Sequence, residues 1–207
     1  MAIRDHSLDQ PILESAKREF LSKGFEKASL KEICEAVNVT TGAVYKRYRG
    51  KEELFAAVVA DTVADLEEVI RQKSSLDMET ASDEELIKAW EMDEAYMMWW
   101  FRFLYDRYDG FVLLLKYAEG TRYSDFQHDW VEKMTEATYK FYEEGYRRRL
   151  CTVFVTRGEM HILLTAFWAT IYEPFIHGYQ LEQLENHCKL VCNLFNWYQT
   201  LGFLVKD

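Results

Sequence analysis

Residues that interrupt helices are scarce in this chain of 207 residues, which contains two prolines and nine glycines. Alternation of polar and apolar residues, the pattern of half-buried β-strands, is also rare along the sequence. Both absences favour long helices, and we predict an all-α fold. The apolar periodicity indicates about nine helices, three within the first fifty residues and six near 51–74, 82–108, 111–119, 124–149, 158–179 and 182–203.

Several features that would direct the chain to a membrane or to secretion are missing. The longest stretch without a charge, 190–205, is too short and too polar to span a bilayer. The first ten residues, MAIRDHSLDQ, lack the apolar core of a signal peptide. The four cysteines, Cys34, Cys151, Cys188 and Cys192, form no C-x-x-C pair. We therefore expect a cytoplasmic protein with reduced thiols and no membrane partner.

Motifs of catalysis and metal binding are absent as well. A di-iron helical enzyme would need paired Glu-x-x-His motifs, and only Asp125-x-x-His128 approaches that pattern. The sequence contains no H-E-x-x-H, no G-x-S-x-G and no glycine-rich phosphate loop. Cys188 and Cys192 fit packing as small apolar residues better than metal binding. We predict a protein that is not an enzyme and that has no cofactor and no metal site.

Charge is distributed unevenly along the chain. The formal net charge is −10, yet residues 1–55 hold ten basic and nine acidic residues, which leaves a net charge of −11 on residues 56–207. The segment 38–51, NVTTGAVYKRYRGK, contains Lys46, Arg47, Arg49 and Lys51 and no acid. This distribution favours two domains, 1–55 and 56–207, of which the first carries a basic patch that suits a polyanion.

The first two helices have recognisable ends. Pro11 suits the first turn of a helix that Gly24 is placed to end. Ser29 and Glu32 have the spacing of a capping box, in which each side chain accepts a hydrogen bond from the backbone amide of the other residue. We expect the second helix to begin at this box and to end before Asn38.

A third helix is predicted to begin at Thr40 or Thr41 with a threonine cap and to bury Val44 and Tyr48. Its first turn contains no acid, so its positive end is expected to be open to an anion. Gly42 and Ala43 are small enough for close approach to another surface. A short helix with a basic outward face fits the major groove of DNA.

These first helices resemble the amino-terminal domain of the tetracycline-repressor (TetR) family, over about a quarter of the chain. The ordered set that carries the resemblance is Ile12, Ala16, Phe20, Gly24-Phe25, Ala28-Ser29-Leu30, Ile33, Ala36-Val37, Val39 to Tyr45, Tyr48 and Lys51-Glu52-Glu53-Leu54. The chain departs from the family pattern at Cys34, at Asn38 and at Lys46-Arg47. Asparagine tolerates the left-handed conformation of a tight turn, so Asn38 is a mild change.

The resemblance implies a set of DNA contacts. Base edges or adjacent phosphates would be approached by Thr40, Thr41, Ala43 and Lys46, and the DNA backbone by Tyr45, Tyr48, Lys51 and the first-turn amide at Ser29. Arg47 and Arg49 are further candidates for phosphates. In an arbitrary protein these cations would be interpreted as a solvated surface run, and the position of Tyr48 also suits a core residue.

The resemblance also implies that the carboxy-terminal domain binds a small effector and pairs two protomers. Of the 32 aromatic residues, 27 lie at or after Trp90, and rings beside carboxylates favour an organic cation. The candidate effector residues are Trp99, Phe103, Trp130, Phe167, Trp168 and Glu173. The alternative is that the rings form plain core and that the carboxylates are solvated or paired with Arg102 and Arg107.

Two apolar stripes on the last predicted helix indicate one face for the core and one for a second copy of the chain. The candidate dimer contacts are Cys188, Val191, Phe195 and Tyr198. The other stripe contains Leu190, Leu194, Trp197 and Leu201. The periodicity does not decide which stripe faces the partner.

The function that these patterns favour is a dimeric transcription repressor that binds a pseudo-palindromic operator in double-stranded DNA and is released by a small apolar or aromatic effector. Activation instead of repression stays open. The alternatives are a helical small-molecule-binding protein or enzyme with a vestigial DNA-binding domain, and an adaptor that binds proteins through its acidic part.

Overall fold

The computed structural model of the protein describes residues 7–75 and 77–204. Within these ranges, the regular secondary-structure elements are helices. The prediction of an all-α fold is confirmed. The helices are α1 (Asp9–Lys27), α2 (Leu30–Glu35), α3 (Thr41–Tyr45), α4 (Lys51–Ser74), α5 (Asp83–Lys88), α6 (Glu94–Tyr105), α7 (Tyr108–Lys116), α8 (Phe126–Arg147), α9 (Arg157–Ile176), α10 (Leu181–Leu194) and α11 (Trp197–Leu201).

Eleven helices lie in the described ranges because two of the nine predicted ones are each divided in two. The segment 82–108 contains α5 and α6, and the side chain of Asp93 accepts a hydrogen bond of 2.7 Å from the amide of Tyr96 at the start of α6. In the same way, Asn196 accepts from the amide of Gln199 where α11 begins. Apolar residues continue on both sides of each cap, so the apolar pattern alone does not reveal the break.

The chain folds as two compact units. The first unit comprises residues up to Asp65 together with Arg107–Phe126, and the second comprises Leu66–Asp106 and the residues from Gln127 onward. The first unit thus includes α7, which is distant in sequence from α1 to α3.

In the first unit, α7 packs against α1 and lies close to α4. A Cβ atom at Gly110 would stand 2.0 Å from the hydroxyl oxygen of Thr62, so only glycine allows this approach. Arg107 and Asp65 form an ion pair of 2.6 Å across the same contact. The apolar core of this unit includes Ile12, Ala16, Phe20, Ile33, Val44, Leu54 and Phe55.

The second unit has a core of aromatic side chains from α6, α8 and α9, and α10 packs against α6. Leu184, Cys188 and Val191 on α10 are buried within the unit, and the thiol of Cys188 donates to the carbonyl of Glu94 on α6. Cys188 and Val191 are therefore core residues, and their prediction as dimer contacts is wrong. The reason is that the stripe to which they belong covers α6.

The remaining candidate dimer residues are half-buried. The ring of Phe195 packs edge-on against Phe167, and Tyr198 packs against Phe203. On the other stripe, Leu190 and Leu194 are 62% and 71% exposed. The exposed apolar surface of α10 is thus formed by Leu190 and Leu194, whereas Trp197 and Leu201 of the same stripe are buried on α11.

A search of the described helices for a membrane-spanning segment finds none with the required length and apolarity.

Candidate nucleic-acid interface

The junction between α1 and α2 fixes the start of the second helix. Gly24 adopts a φ of +73°, which breaks the regular geometry of α1 near its end. The hydroxyl of Ser29 accepts from the amide of Glu32, as predicted. The second half of the predicted capping box is wrong: the amide of Ser29 donates to Glu19, because the carboxylate of Glu32 is instead paired with Lys23.

The turn between α2 and α3 depends on two residues. Asn38 adopts the left-handed conformation, with a φ of +54°, which asparagine tolerates better than most side chains. The hydroxyl of Thr40 then accepts a hydrogen bond of 3.2 Å from the amide of Ala43. Thr40 is therefore the cap of α3, and its hydroxyl occupies one of the amides that we expected to be open to an anion.

One face of α3 is directed into the unit and the other into solvent. Val44 is buried, and Tyr48 and Ala43 are half-buried. Tyr45 is 56% exposed, and Thr40, Thr41 and Lys46 are exposed beside it. The outward surface therefore presents hydroxyl groups, a phenol and an ammonium group, which are suitable donors for phosphates and base edges.

Arg47 has a different environment from its neighbours. Its side chain is only 12% exposed, and its Nε lies 2.6 Å from a carboxylate oxygen of Asp9 on α1. The guanidinium also donates to the carbonyl of Ala43. These contacts join the end of α3 to the start of α1, so the structure gives Arg47 a positioning role that the sequence did not reveal.

Lys51 is the first residue of α4, and its side chain binds the carboxyl end of α1. Its ammonium donates to the carbonyls of Glu26 and Ala28 at 2.9 and 3.1 Å and lies 4.7 Å from the centre of the Phe25 ring. A cation at the carboxyl end of a helix satisfies carbonyls that lack partners within the helix. Lys51 thus orders the junction between α1 and α2, next to the predicted phosphate contact at Ser29.

The predicted DNA contacts therefore form two groups. Side chains that face solvent are those of Thr40, Thr41, Tyr45 and Lys46, whereas Ser29, Arg47 and Lys51 bind within the unit. The first group can reach a ligand directly, and the second holds α1, α2 and α3 in their relative positions. Asp9, which sequence reasoning missed, belongs to the second group, and its distance of 38 residues from Arg47 explains why no local pattern revealed it.

The predicted effector residues lie in and around an aromatic cluster of the second unit. Trp130 and Trp168 are buried and pack edge-to-face at 5.2 Å, and Trp100 packs against both rings. Phe167 is buried beside Trp168. Trp100 is absent from the predicted effector set, yet its ring connects members of that set.

Trp99 and Phe103 lie at the edge of this cluster and are only partly covered. Trp99 is 46% exposed and stacks on Phe103 at 5.2 Å, and Trp100 packs edge-on against both rings. Rings in contact with one another therefore form a continuous series from the half-exposed Trp99 to the buried core of the unit.

Glu173 is not buried with the tryptophans. Its carboxylate is exposed and lies 3.3 Å from His177, which is also exposed. The expectation that Glu173 supplies a negative charge to the aromatic cluster is therefore wrong. Arg102 and Arg107, named as alternative partners for acids, pair with Glu185 and Asp65.

The cysteines of α10 have no metal partners among the residues that the structure describes, where no three His, Cys, Asp or Glu side chains are arranged around a common metal position. Burial raises the pKa of the Cys188 thiol to about 12. A thiol must lose its proton to bind a metal, so this environment favours a packing role.

Comparison with known proteins finds similarity in the amino-terminal helices. The family model described as "Bacterial regulatory proteins, tetR family" matches residues 12–58. A curated relative, the HTH-type transcriptional repressor AcnR of Corynebacterium diphtheriae, is 32% identical over 69 residues, which are 33% of this chain and 36% of AcnR. The probable acrEF/envCD operon repressor of Escherichia coli K12 is 39% identical over 46 residues, 22% of this chain and 21% of that protein. The chain thus matches about a third or less of the length of these relatives.

Among solved structures, the whole fold is similar to NalD of Pseudomonas aeruginosa, described as the secondary repressor of the MexAB-OprM multidrug efflux pump. The TM-score is 0.60 at 19% identity, with 92% of this chain and 95% of NalD covered. A putative fatty acid metabolism regulator of Clostridium perfringens also gives a TM-score of 0.60 at 16% identity, covering 95% of this chain and all of that one. These similarities establish a shared fold beyond the first three helices.

Proposed function

We propose that the protein is a transcriptional repressor, since residues 12–58 match the model of the tetR family of bacterial regulatory proteins. Its α3 lies in the major groove of an operator, and a small organic effector releases it. The relatives with matching sequence are themselves described as repressors. The proposal assigns the protein no catalytic activity.

The observation that carries the proposal is the outward face of α3. Thr41, Tyr45 and Lys46 are exposed on the side opposite the buried Val44, and the segment 38–51 contains no acidic residue. Exposed donors on a short helix fit base edges and phosphates. The hydrogen bonds of Arg47 within the unit support this geometry, since they hold the end of α3 against α1, and those of Lys51 order the junction between α1 and α2.

Selection of bound duplexes from a random DNA pool tests the proposal. We expect recovery of an inverted repeat, because two protomers related by a twofold axis read two equivalent half-sites. A pool that yields no enriched sequence under low-salt conditions would rule out operator binding. Enrichment of a single unrepeated site would contradict binding as a dimer.

We propose that the dimer face is formed by the exposed apolar residues of α9 and α10. Ile162, Leu190 and Leu194 are 67%, 62% and 71% exposed, and Ala166 and Ala169 on α9 are also exposed. Large exposed aliphatic side chains are unfavourable in a monomer and favour association. Light scattering should give twice the monomer mass, and Leu190→Glu with Leu194→Glu should give the monomer. A double variant that stays dimeric would place the interface elsewhere.

The effector is proposed to bind beside the aromatic cluster of the second unit. Trp130 and Trp168 are buried, and neither indole N–H has a hydrogen-bond partner among the described residues. An unpaired buried donor costs about 1–3 kcal/mol, so an oxygen acceptor on an aromatic or apolar ligand would relieve this cost. These donors favour an acceptor-bearing ligand over the organic cation that the sequence suggested.

Tryptophan fluorescence tests the effector proposal. Aromatic compounds that carry a carbonyl or carboxylate should change the emission and weaken operator binding, while matched quaternary ammonium compounds should do neither. Trp168→Phe keeps an aromatic ring and removes the donor, so it should weaken binding of the acceptor-bearing compound. If the cationic compounds bind and the acceptor-bearing ones do not, the assignment of ligand chemistry is wrong.

A further inference from the structure

An open cleft of about 820 Å³ lies beside α3 in the first unit. It is bordered by the turn from α3 to α4, by one side of the first turns of α4 and by the connection between α7 and α8. Its charged lining residues are Arg47, Arg49, Lys51, Glu52, Glu53 and Arg122. The first five lie between positions 47 and 53, whereas Arg122 comes from more than sixty residues downstream.

Arg122 is held in the cleft by its own backbone and by its neighbour. Its amide donates to the carboxylate of Glu52 at 3.2 Å, its guanidinium donates to the hydroxyl of Tyr123 at 3.0 Å, and the guanidinium lies 5.0 Å from the centre of that ring. A guanidinium that rests on an aromatic ring keeps its remaining N–H groups free to bind an anion bidentately. Arg122 is therefore oriented and exposed at the same time.

The charge of the cleft is positive overall. Four of its side chains are cationic, those of Arg47, Arg49, Lys51 and Arg122, and two are carboxylates; Arg47 is paired with Asp9, and the other three cations still outnumber the carboxylates. Both carboxylates accept hydrogen bonds from backbone amides, Glu52 from Arg122 and Glu53 from Arg49. Within the described residues, neither Arg49 nor Arg122 has a carboxylate at ion-pair distance from its guanidinium. Two guanidinium groups thus remain for a ligand with negative charge.

We infer that Arg122 binds a backbone phosphate of the operator and extends the DNA interface from α3 into this cleft. The inference rests on the proposed function. The cleft begins at Arg47 and Tyr48, which directly follow α3 in the chain, and its exposed cations complement a phosphodiester chain that passes this side of the domain. Because a phosphate contact fixes register and does not read sequence, Arg122 contributes affinity on any duplex.

Binding of DNA at several salt concentrations tests the role of Arg122. Arg122→Ala should weaken binding roughly fivefold, equally on the selected operator and on a random duplex, and should reduce the slope of log K against log salt by about 0.9 for each protomer bound. Arg122→Lys should keep most of the salt slope, because it keeps the charge. Arg102→Ala, on α6 of the second unit, removes the same charge outside the cleft and should leave both quantities unchanged.

The outcomes separate this inference from the proposed function. If the unaltered protein binds no DNA, the proposed function fails and the inference with it. If the unaltered protein binds and Arg122→Ala has the same affinity and salt slope, the inference alone is wrong. An unchanged slope with weaker binding, or a loss confined to the operator, would also contradict a phosphate contact. Thermal unfolding should change little on Arg122→Ala, since the bond to Glu52 uses the backbone amide and only the contact of the guanidinium with the neighbouring Tyr123 is lost.

Discussion

The two units satisfy their polar groups in opposite ways. In the first unit, the side chain of Arg47 donates a hydrogen bond to Asp9, and the ammonium of Lys51 donates to carbonyls at the end of α1. The hydroxyl of Ser15 donates to the carbonyl of Ile33. In the second, four buried indole N–H groups have no partner among the described residues, those of Trp90, Trp130, Trp168 and Trp197. Among the described residues, the first unit thus offers polar groups on its outer face, whereas the second unit offers unpaired indole donors in its interior.

This contrast indicates where each unit binds its ligand. A domain that docks on a rigid duplex benefits from a fixed shape, because less ordering is needed on binding. A domain that encloses a small molecule can leave donors unpaired, because the ligand supplies the acceptors when it binds. The comparison predicts that damage to the second core affects folding, while damage to the outward face of α3 affects only DNA binding.

The largest expected effect is in the aromatic core. Trp100 is buried and packs against Trp130 and Trp168, so Trp100→Ala should lower the free energy of unfolding by about 3–5 kcal/mol. Trp99→Ala, at the neighbouring and half-exposed position, is the matched control and should cost about 1 kcal/mol. Chemical denaturation measures both, and equal losses would mean that the rings do not form a packed core.

The next effect is on DNA binding alone. Tyr45→Ala combined with Lys46→Ala removes two exposed donors of α3 and should weaken operator binding about 100-fold, since each contact contributes about 1–3 kcal/mol. The free energy of unfolding should stay within about 0.5 kcal/mol of the unaltered value. Lys88→Ala, on α5, controls for the lost charge. Retention of operator affinity by the double variant would remove α3 from the interface.

A smaller effect is expected where Arg47 meets Asp9. Both side chains are only partly exposed, so solvent weakens the ion pair. In a double-mutant cycle of Arg47→Met and Asp9→Asn, the free energies of unfolding should show a coupling of about 1 kcal/mol. The single variants should also bind DNA more weakly, because α3 loses its attachment to α1. Strictly additive losses would show that the pair does not hold α3.

The smallest effect is a dependence of stability on pH in the second unit. Hydrogen bonds from Arg147 and Arg148 lower the pKa of Glu144 to about 2. A carboxylate whose pKa is lowered by folding stabilises the protein above its ordinary pKa and loses this effect as pH falls toward the folded value. The melting temperature should therefore fall between about pH 5 and pH 2, and Glu144→Gln should reduce that fall. Glu143→Gln, one residue away, should leave the pH profile unchanged.

Local chemistry was predictable from the sequence, and contacts between distant residues were not. The cap at Thr40 and the left-handed turn at Asn38 depend on the residue itself and its immediate neighbours. The capping box at Ser29 was only half correct, because Glu19 and Lys23 on α1 compete for its two groups. Thus a short motif can be correct in kind and still be altered by a partner from another helix.

The assignment of faces shows the same limit. Periodicity identified two apolar stripes on the last predicted helix, but only the packing of α10 on α6 shows that Cys188 and Val191 are internal. The contact between Arg122 and Glu52 spans 70 residues, and no local pattern connects the two. Such pairings depend on how the helices fold together, which a single sequence does not state.

Hydrogen–deuterium exchange in the presence and absence of the selected operator tests most directly whether α3 is the surface that meets DNA. We expect amide exchange to slow at residues 39–49 when the duplex is bound, while residues 158–176 of the second unit keep their exchange rates. Protection that is absent from 39–49, or confined to the second unit, would contradict DNA binding by α3.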